Sequence, residues 1–164
     1  MRHRLACLSA ALLFIAAISA FGQDEGDPRI RKALDSRGIK YSVNSANNFK
    51  VVYTMESEPD RSQLVFIVSK TTEYKSLELR EIWSVAAVLD AFPDPDVLER
   101  LFKMNSTSKI GAWAIEVSDE GEVWLMYTAK VLVDLAPKEL TDIVYFVAEV
   151  CDELEAELVG GDEY

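Results

Sequence analysis

Residues 64–68 read Leu-Val-Phe-Ile-Val, apolar at every position, with polar Ser62–Gln63 before them and Ser69–Lys70 after. A run this short, rich in β-branched and aromatic side chains, reads as a strand, and its side chains alternate between two faces. Both faces are then apolar. Such a strand belongs in the interior of a sheet with a layer packed over each side. This is the strongest constraint in the chain, because everything else must build that sheet and supply its cover.

The neighbouring segments supply strands and helices in a definite order. Asp27 before Pro28 opens a first helix, with Ile30, Ala33 and Leu34 as its buried stripe and Gly38 as its stop. Strands are expected over 40–43, 49–56 and 62–70, the first two joined by an asparagine-rich turn. Residues 71–74 turn the chain into a long strand, 76–89, whose alternation slips at Glu81–Trp83 and predicts a bulge there. A second helix starts at the Asp94 cap and Pro95, and presents Val97, Leu98, Leu101, Phe102 and Met104 on its apolar side. Residues 112–133 form a hairpin about Asp119–Gly121, with Trp113, Ile115 and Val117 alternating along its first strand. Its return strand is apolar on both faces.

The last helix starts at Pro137 and is stopped by Gly160–Gly161. Leu140, Ile143, Val144, Val147, Val150, Cys151, Leu154 and Leu158 share one arc. Asp142, Glu149, Asp152 and Glu153 lie opposite, with Tyr145 in the middle of that acidic side. The order of elements predicts an α+β fold: a single antiparallel, twisted sheet of five to six strands packed with helices.

The N-terminus has a different character. Arg2 and Arg4 precede an apolar run from Leu5 to Phe21, interrupted by Ser9 and Ser19, and small residues stand at Ala20 and Gly22. That pattern describes a signal peptide over 1–22, cut before Gln23, and places the remaining chain in the periplasm or outside the cell. An uncleaved membrane anchor is the alternative. The whole chain carries a formal net charge of −11, and loss of Arg2 and Arg4 leaves the exported part more acidic still. Such a surface repels nucleic acid and anionic membrane, so neither is an expected partner, and no stable membrane insertion is expected after cleavage.

Composition also narrows the chemistry. His3 is the only histidine, and it leaves with the signal, as does Cys7. The exported chain therefore holds no Ser–His or Cys–His pair, no histidine-based metal site and no internal disulfide. Cys151 falls on the apolar arc of the last helix, where a buried inert thiol is the ordinary outcome and an intermolecular disulfide the sharper one. Glu78, Glu81, Glu116 and Glu122 lie on expected strands or beside them, and nothing in the sequence pairs any two for acid–base work. Asn105–Ser106–Thr107 is a glycosylation triplet of low specificity. The closing Gly160-Gly161-Asp162-Glu163-Tyr164 differs by one residue from the Gly-Gly-Asp-Glu-Phe signature of enzymes that cyclise GTP. Its glycines directly follow a helix, and no phosphate-binding loop accompanies them, so it reads as a helix stop and a tail over 159–164. No catalytic residue, metal or cofactor is expected.

The second half of the chain resembles the YbjN domain family. The phrases that carry the resemblance are Leu101 to Asn105 ending a helix, Gly111 with Trp113 opening a strand, and the acidic turn at Asp119–Gly121. A long strand from Val123 to Val133 and the helix start from Leu135 to Leu140 complete it. The match extends over about residues 28–158. The resemblance implies a fold like that of type III secretion chaperones, often dimeric, offering apolar grooves to an extended partner, with no enzymatic residues. The expected function is a non-enzymatic protein-binding, chaperone-like or regulatory module acting outside the cytoplasm of a bacterium. Its mechanism would be burial of partner side chains, with strand pairing at a sheet edge. Candidate contacts are Trp83, Trp113 and Trp124 on the sheet and Tyr145 on the last helix. A two-fold homodimer is the default assembly. A small-ligand or lipid-binding domain of the envelope is the alternative, and it would need a cavity lined by Phe66, Trp83 or Trp124.

Overall fold

A computed structural model describes residues 26–164 other than 57 and 59. The signal-peptide reading of residues 1–22 falls outside the described residues. The elements are α1 (Pro28–Ser36), β1 (Ser42–Val43), β2 (Phe49–Thr54), β3 (Ser62–Ile67), β4 (Thr72–Tyr74), β5 (Leu77–Leu89), α2 (Pro95–Thr107), β6 (Ala112–Val117), β7 (Val123–Leu132) and α3 (Pro137–Leu158). The fold is α+β. Its antiparallel sheet has seven strands, ordered β1-β2-β3-β5-β7-β6, with β4 also paired to β5. The expected strand over 40–43 is the two-residue β1, and the one strand beyond the expected five to six is the three-residue β4. β4 reads as a turn because all its side chains are exposed, and only main-chain pairing makes it a strand.

Local signals place most boundaries. The Asp27 carboxylate accepts from Arg29 N at 2.8 Å and caps α1. Asn44 Oδ1 accepts from Ala46 N and Asn48 N, and Asn47 takes the left-handed conformation (φ 63°) that closes the β1–β2 turn. Asp94 stands at the cap position of α2, but its side chain makes no capping hydrogen bond. The bulge in β5 lies between Val85 and Ala87, not at Glu81–Trp83. Alternation is regular through Trp83. It looks broken in sequence because Ile82 faces the helices and Trp83 the other side, and both are large and apolar.

Helices α1 and α3 form one layer. α3 runs over β3, β5 and β7, and α1 packs beside it. Beneath them lie Phe49, Val51, Val65, Ile67, Ile82, Leu125, Tyr127 and Ala129, all essentially inaccessible. α2 sits apart, against β6, and buries only Leu101, while Phe102 stays 74% exposed. A buried ion pair fastens α1 to the sheet, with Arg80 Nη2 of β5 2.7 Å from Asp27 Oδ2. Although burial opposes it, hydrogen bonds from Arg29 and Arg80 hold the Asp27 carboxyl well below the usual carboxylate range.

The acidic side of α3 is divided. Asp152, expected in solvent, is 6% exposed, and Glu155 is fully buried. The cause is Arg61, whose Nε donates to Asp152 Oδ1 at 2.8 Å and whose Nη2 lies 3.5 Å from Glu155 Oε2. Helical periodicity reports the apolar arc, whereas a cation arriving from elsewhere in the chain decides which acids are drawn in.

A bare sheet face as candidate binding site

The pairing register assigns the other side of the sheet without ambiguity. Lys50, Phe66, Trp83, Thr128 and Ala112 are cross-strand neighbours on one line, and Val85, Met126 and Ala114 form another. Among the described residues no helix covers this face. Val52 is 63% exposed, and Leu64, Phe66, Trp83, Val85 and Trp124 are only partly buried. The expectation that β3 is covered on both sides is therefore corrected: β3 is central, but one of its two apolar faces is open. Phe66 and Trp83 support each other there, with ring centroids 4.1 Å apart and planes 14° from parallel. The Nζ of Lys50 lies 5.9 Å from the Phe66 ring centre.

A concavity of about 480 Å³ opens on this face beside the aromatic pair, lined by Glu81, Trp83, Glu116, Trp124, Met126 and Thr128 among others. It brings Glu81 and Glu116 to one place, which their sequence separation does not reveal. Glu81 accepts from Thr128 Oγ1 at 2.7 Å and has Lys130 Nζ at 4.0 Å. Trp124 Nε1 donates to Glu122 at 3.1 Å. Glu78 is committed elsewhere. Arg29 grips both its oxygens at 2.8 and 2.9 Å and, with Thr71, lowers its carboxyl to about 2.

The candidate contacts separate. Trp83 and Trp124 lie on the bare face. Trp113 is 7% exposed, in the core on the helix side, edge-on to Tyr127 at 5.1 Å. Tyr145 is not a free aromatic among carboxylates, because it packs edge-to-face on Tyr53 at 5.3 Å and is half-buried. The Tyr53 hydroxyl, buried with no hydrogen-bond partner among the described residues, is pushed up to about 12 by desolvation. Cys151 is fully buried and donates to Ser84 O at 3.3 Å, and burial pushes its thiol up to about 12. It is not placed to meet another chain.

The sheet edge at β6 is partly closed by a device that the sequence does not declare. The Asn105 side chain accepts from Trp113 N at 2.6 Å and donates to Trp113 O at 3.2 Å, as a residue on a neighbouring strand would. The Asn105 amide nitrogen that glycosylation would modify is thus engaged in the fold. Beside it, a cleft of about 230 Å³ between α2 and β6 is lined by Leu98, Leu101, Phe102, Trp113 and Ile115. Among the described residues no helix is long and apolar enough to cross a membrane.

The carboxylates of Asp152, Glu155 and Asp162 lie within 4.8 Å of one another. Arg61 already supplies the positive charge between them. Burial raises the Glu155 carboxyl.

No protein-family model matches the chain, and no curated protein matches it. Solved structures do. YbjN from E. coli is 14% identical over 81% of this chain and 90% of its own, with a TM-score of 0.52. The Yersinia pestis type III secretion chaperone SycH, solved with a fragment of YscM2, is 10% identical over 78% of this chain and 98% of its own, with a TM-score of 0.48. The YbjN structure establishes a shared fold.

Proposed function

From a YbjN-like fold with one sheet face bare, we propose that this protein is an exported, non-enzymatic protein-binding module that takes an extended partner segment on that face. One observation carries the reading. The interior strands β3, β5 and β7 have apolar side chains on both faces, while the helix layer covers only one. Apolar area left in water has a cost of about 25 cal/mol per Å², so a partner that completes the second layer recovers it. The surroundings define that partner. Trp83 and Trp124, flanked by Glu81 and Glu116 on a chain of net charge −11, suit a segment that alternates apolar with lysine or arginine side chains. A cation over an exposed tryptophan face adds about 0.5–1 kcal/mol. Export rests on the signal-like pattern of residues 1–22 and predicts a processed protein beginning at Gln23.

The 480 Å³ concavity favours a second reading, a small amphiphile or lipid chain lying along Trp83 and Trp124, since ligand sites span roughly 300–1,000 Å³. One titration separates the two. Tryptophan emission is followed as synthetic peptides alternating leucine and lysine, or fatty acids, are added to the processed protein and to a Phe66→Ser/Trp83→Ser variant. The peptide reading expects a saturable blue shift with peptide only, lost in the variant, whose unfolding transition is otherwise preserved. Saturation by fatty acid alone supports the second reading. Emission unchanged by either, up to millimolar additions, overturns both. Mass spectrometry of exported material checks the Gln23 start.

A further inference from the structure

β3 and β5 are paired over three positions only, Val65–Ile67 against Ile82–Ser84. Before Val65 and after Ser84 the two strands part, at the bulge that follows Val85. Side chains of the two strands meet the carbonyls here, with Gln63 Nε2 donating to Val85 O at 2.9 Å and Ser84 Oγ to Leu64 O at 2.6 Å, whereas three of the amides are met by residues 161–164. Ser62 N donates to Asp162 Oδ1 at 2.8 Å, and Leu64 N donates to Tyr164 O at 3.0 Å. On the opposite side of the split, Val88 N donates to the Tyr164 hydroxyl at 3.3 Å. Arg61 Nη1 donates to Gly161 O. From α3, Glu155 Oε1 accepts from Glu163 N at 2.6 Å and Tyr164 N at 3.1 Å. The segment is thus received from β3, β5 and α3 by main-chain and charged groups, as a bound peptide is.

Little apolar burial holds it. Asp162 and Glu163 are exposed, and Tyr164 is half-buried. The receiving site, in contrast, is built. Glu155 has no accessible surface, and among the described residues its Oε2 has no hydrogen bond, with Arg61 in ion-pair contact. With the slot empty, that buried carboxylate would lose both its amide donors, so the slot favours an occupant.

We propose that the split between β3 and β5 is a peptide-binding slot, distinct from the bare face, and that residues 161–164 are its resident, displaceable occupant. The competing partner segment has the same chemistry: extended backbone, an aspartate to reach Ser62 N, and a tyrosine two residues later to reach Val88 N. The tail then regulates access to the slot, because any partner must outcompete it. A tail tethered this closely acts at an effective concentration on the order of 1 mM.

The test uses the full chain and a loosened variant, Asp162→Ala/Tyr164→Ala, with a fluorescein-labelled peptide of residues 158–164 as probe. Fluorescence anisotropy is expected to show saturable binding to the variant, at least tenfold weaker binding to the unaltered protein, and loss of binding when the peptide's aspartate and tyrosine are both alanine. Hydrogen exchange at Leu64 N is expected to speed up in the variant and slow again when peptide is added. If the double variant melts below the assay temperature, Tyr164→Phe carries the same comparison. No saturable binding to a folded variant, equal binding to both proteins, or a Leu64 amide indifferent to the peptide would each overturn the proposal. Binding that survives Phe66→Ser/Trp83→Ser keeps the slot independent of the bare face.

Discussion

Replacement of Asn105 by alanine isolates one physical effect. In the native protein this side chain makes two hydrogen bonds to the main chain of Trp113 and so stands in for an outer neighbour of β6, which is the edge strand among the described residues. A typical intramolecular hydrogen bond contributes about 1 kcal/mol net, so two give about 2 kcal/mol. Alanine is the better helix former, which returns a few tenths of a kcal/mol in α2. The site is only partly buried, so water can satisfy the freed groups and no larger desolvation penalty is added. A net loss near 1.5 kcal/mol is expected. For a domain of this size it corresponds to a fall in Tm of roughly 4–6 °C. Urea denaturation gives the free energy, and hydrogen exchange gives the location. The Trp113 amide should lose protection in Asn105→Ala, while amides in β5 stay as slow as global unfolding allows. An unchanged unfolding free energy, with the Trp113 amide still protected, would refute the view that Asn105 closes the edge. Asn105→Asp is the finer probe, since it keeps the acceptor for Trp113 N but sets a charge against Trp113 O. It should be no more stable than the alanine variant at neutral pH.

Asp27→Asn should be costly at pH 7, because it leaves Arg80 buried without its anion, and removing one member of a buried pair costs about 3–5 kcal/mol. The folded-state carboxyl is depressed, so its contribution is fully present above the unfolded value near 4 and is lost as pH falls towards the folded one. Stability curves for the two proteins should therefore converge between about pH 4 and pH 2, and a gap constant with pH would contradict the assignment. Gly111→Ala should be strongly destabilising, since Gly111 has φ 84° and a Cβ there would collide with Thr128 O of β7. A melting temperature within a degree of the parent would count against that reading. The Cys151 thiol should resist a thiol reagent in the native protein and react once the chain is unfolded. Rapid native labelling would show that the α3–β5 contact opens readily.

Strands, helices and stops were largely written in local pattern. Pro28, Pro95 and Pro137 each begin a helix, and Gly38 and Gly160 end or follow one in left-handed conformations. These signals are legible because they depend on a few adjacent residues and their own backbone angles. The resemblance phrase Gly111 with Trp113 also has a physical basis, since only glycine fits that close approach to β7, and Trp113 then enters the core. The candidate site was legible in part. Trp83 and Trp124 share a face by register, which alternation suggests, but Trp113 points the other way and Tyr145 leans on Tyr53.

By itself the sequence determined that the apolar run from Leu64, which falls in β3 as far as Ile67, is an interior strand with apolar side chains on both sides, in an α+β sheet. It did not determine that only one side would be covered, because coverage depends on where helices dock, and every docking contact joins residues distant along the chain. The same reason explains Asp152 and Glu155, drawn inside by Arg61 from ninety or so positions away, and the closing Gly-Gly-Asp-Glu-Tyr, which alone reads as a loose tail. The tertiary structure seats it between two strands that part at a bulge. Periodicity assigns each side chain to a face, but only the assembled molecule decides which faces meet a partner within the chain and which are left for another.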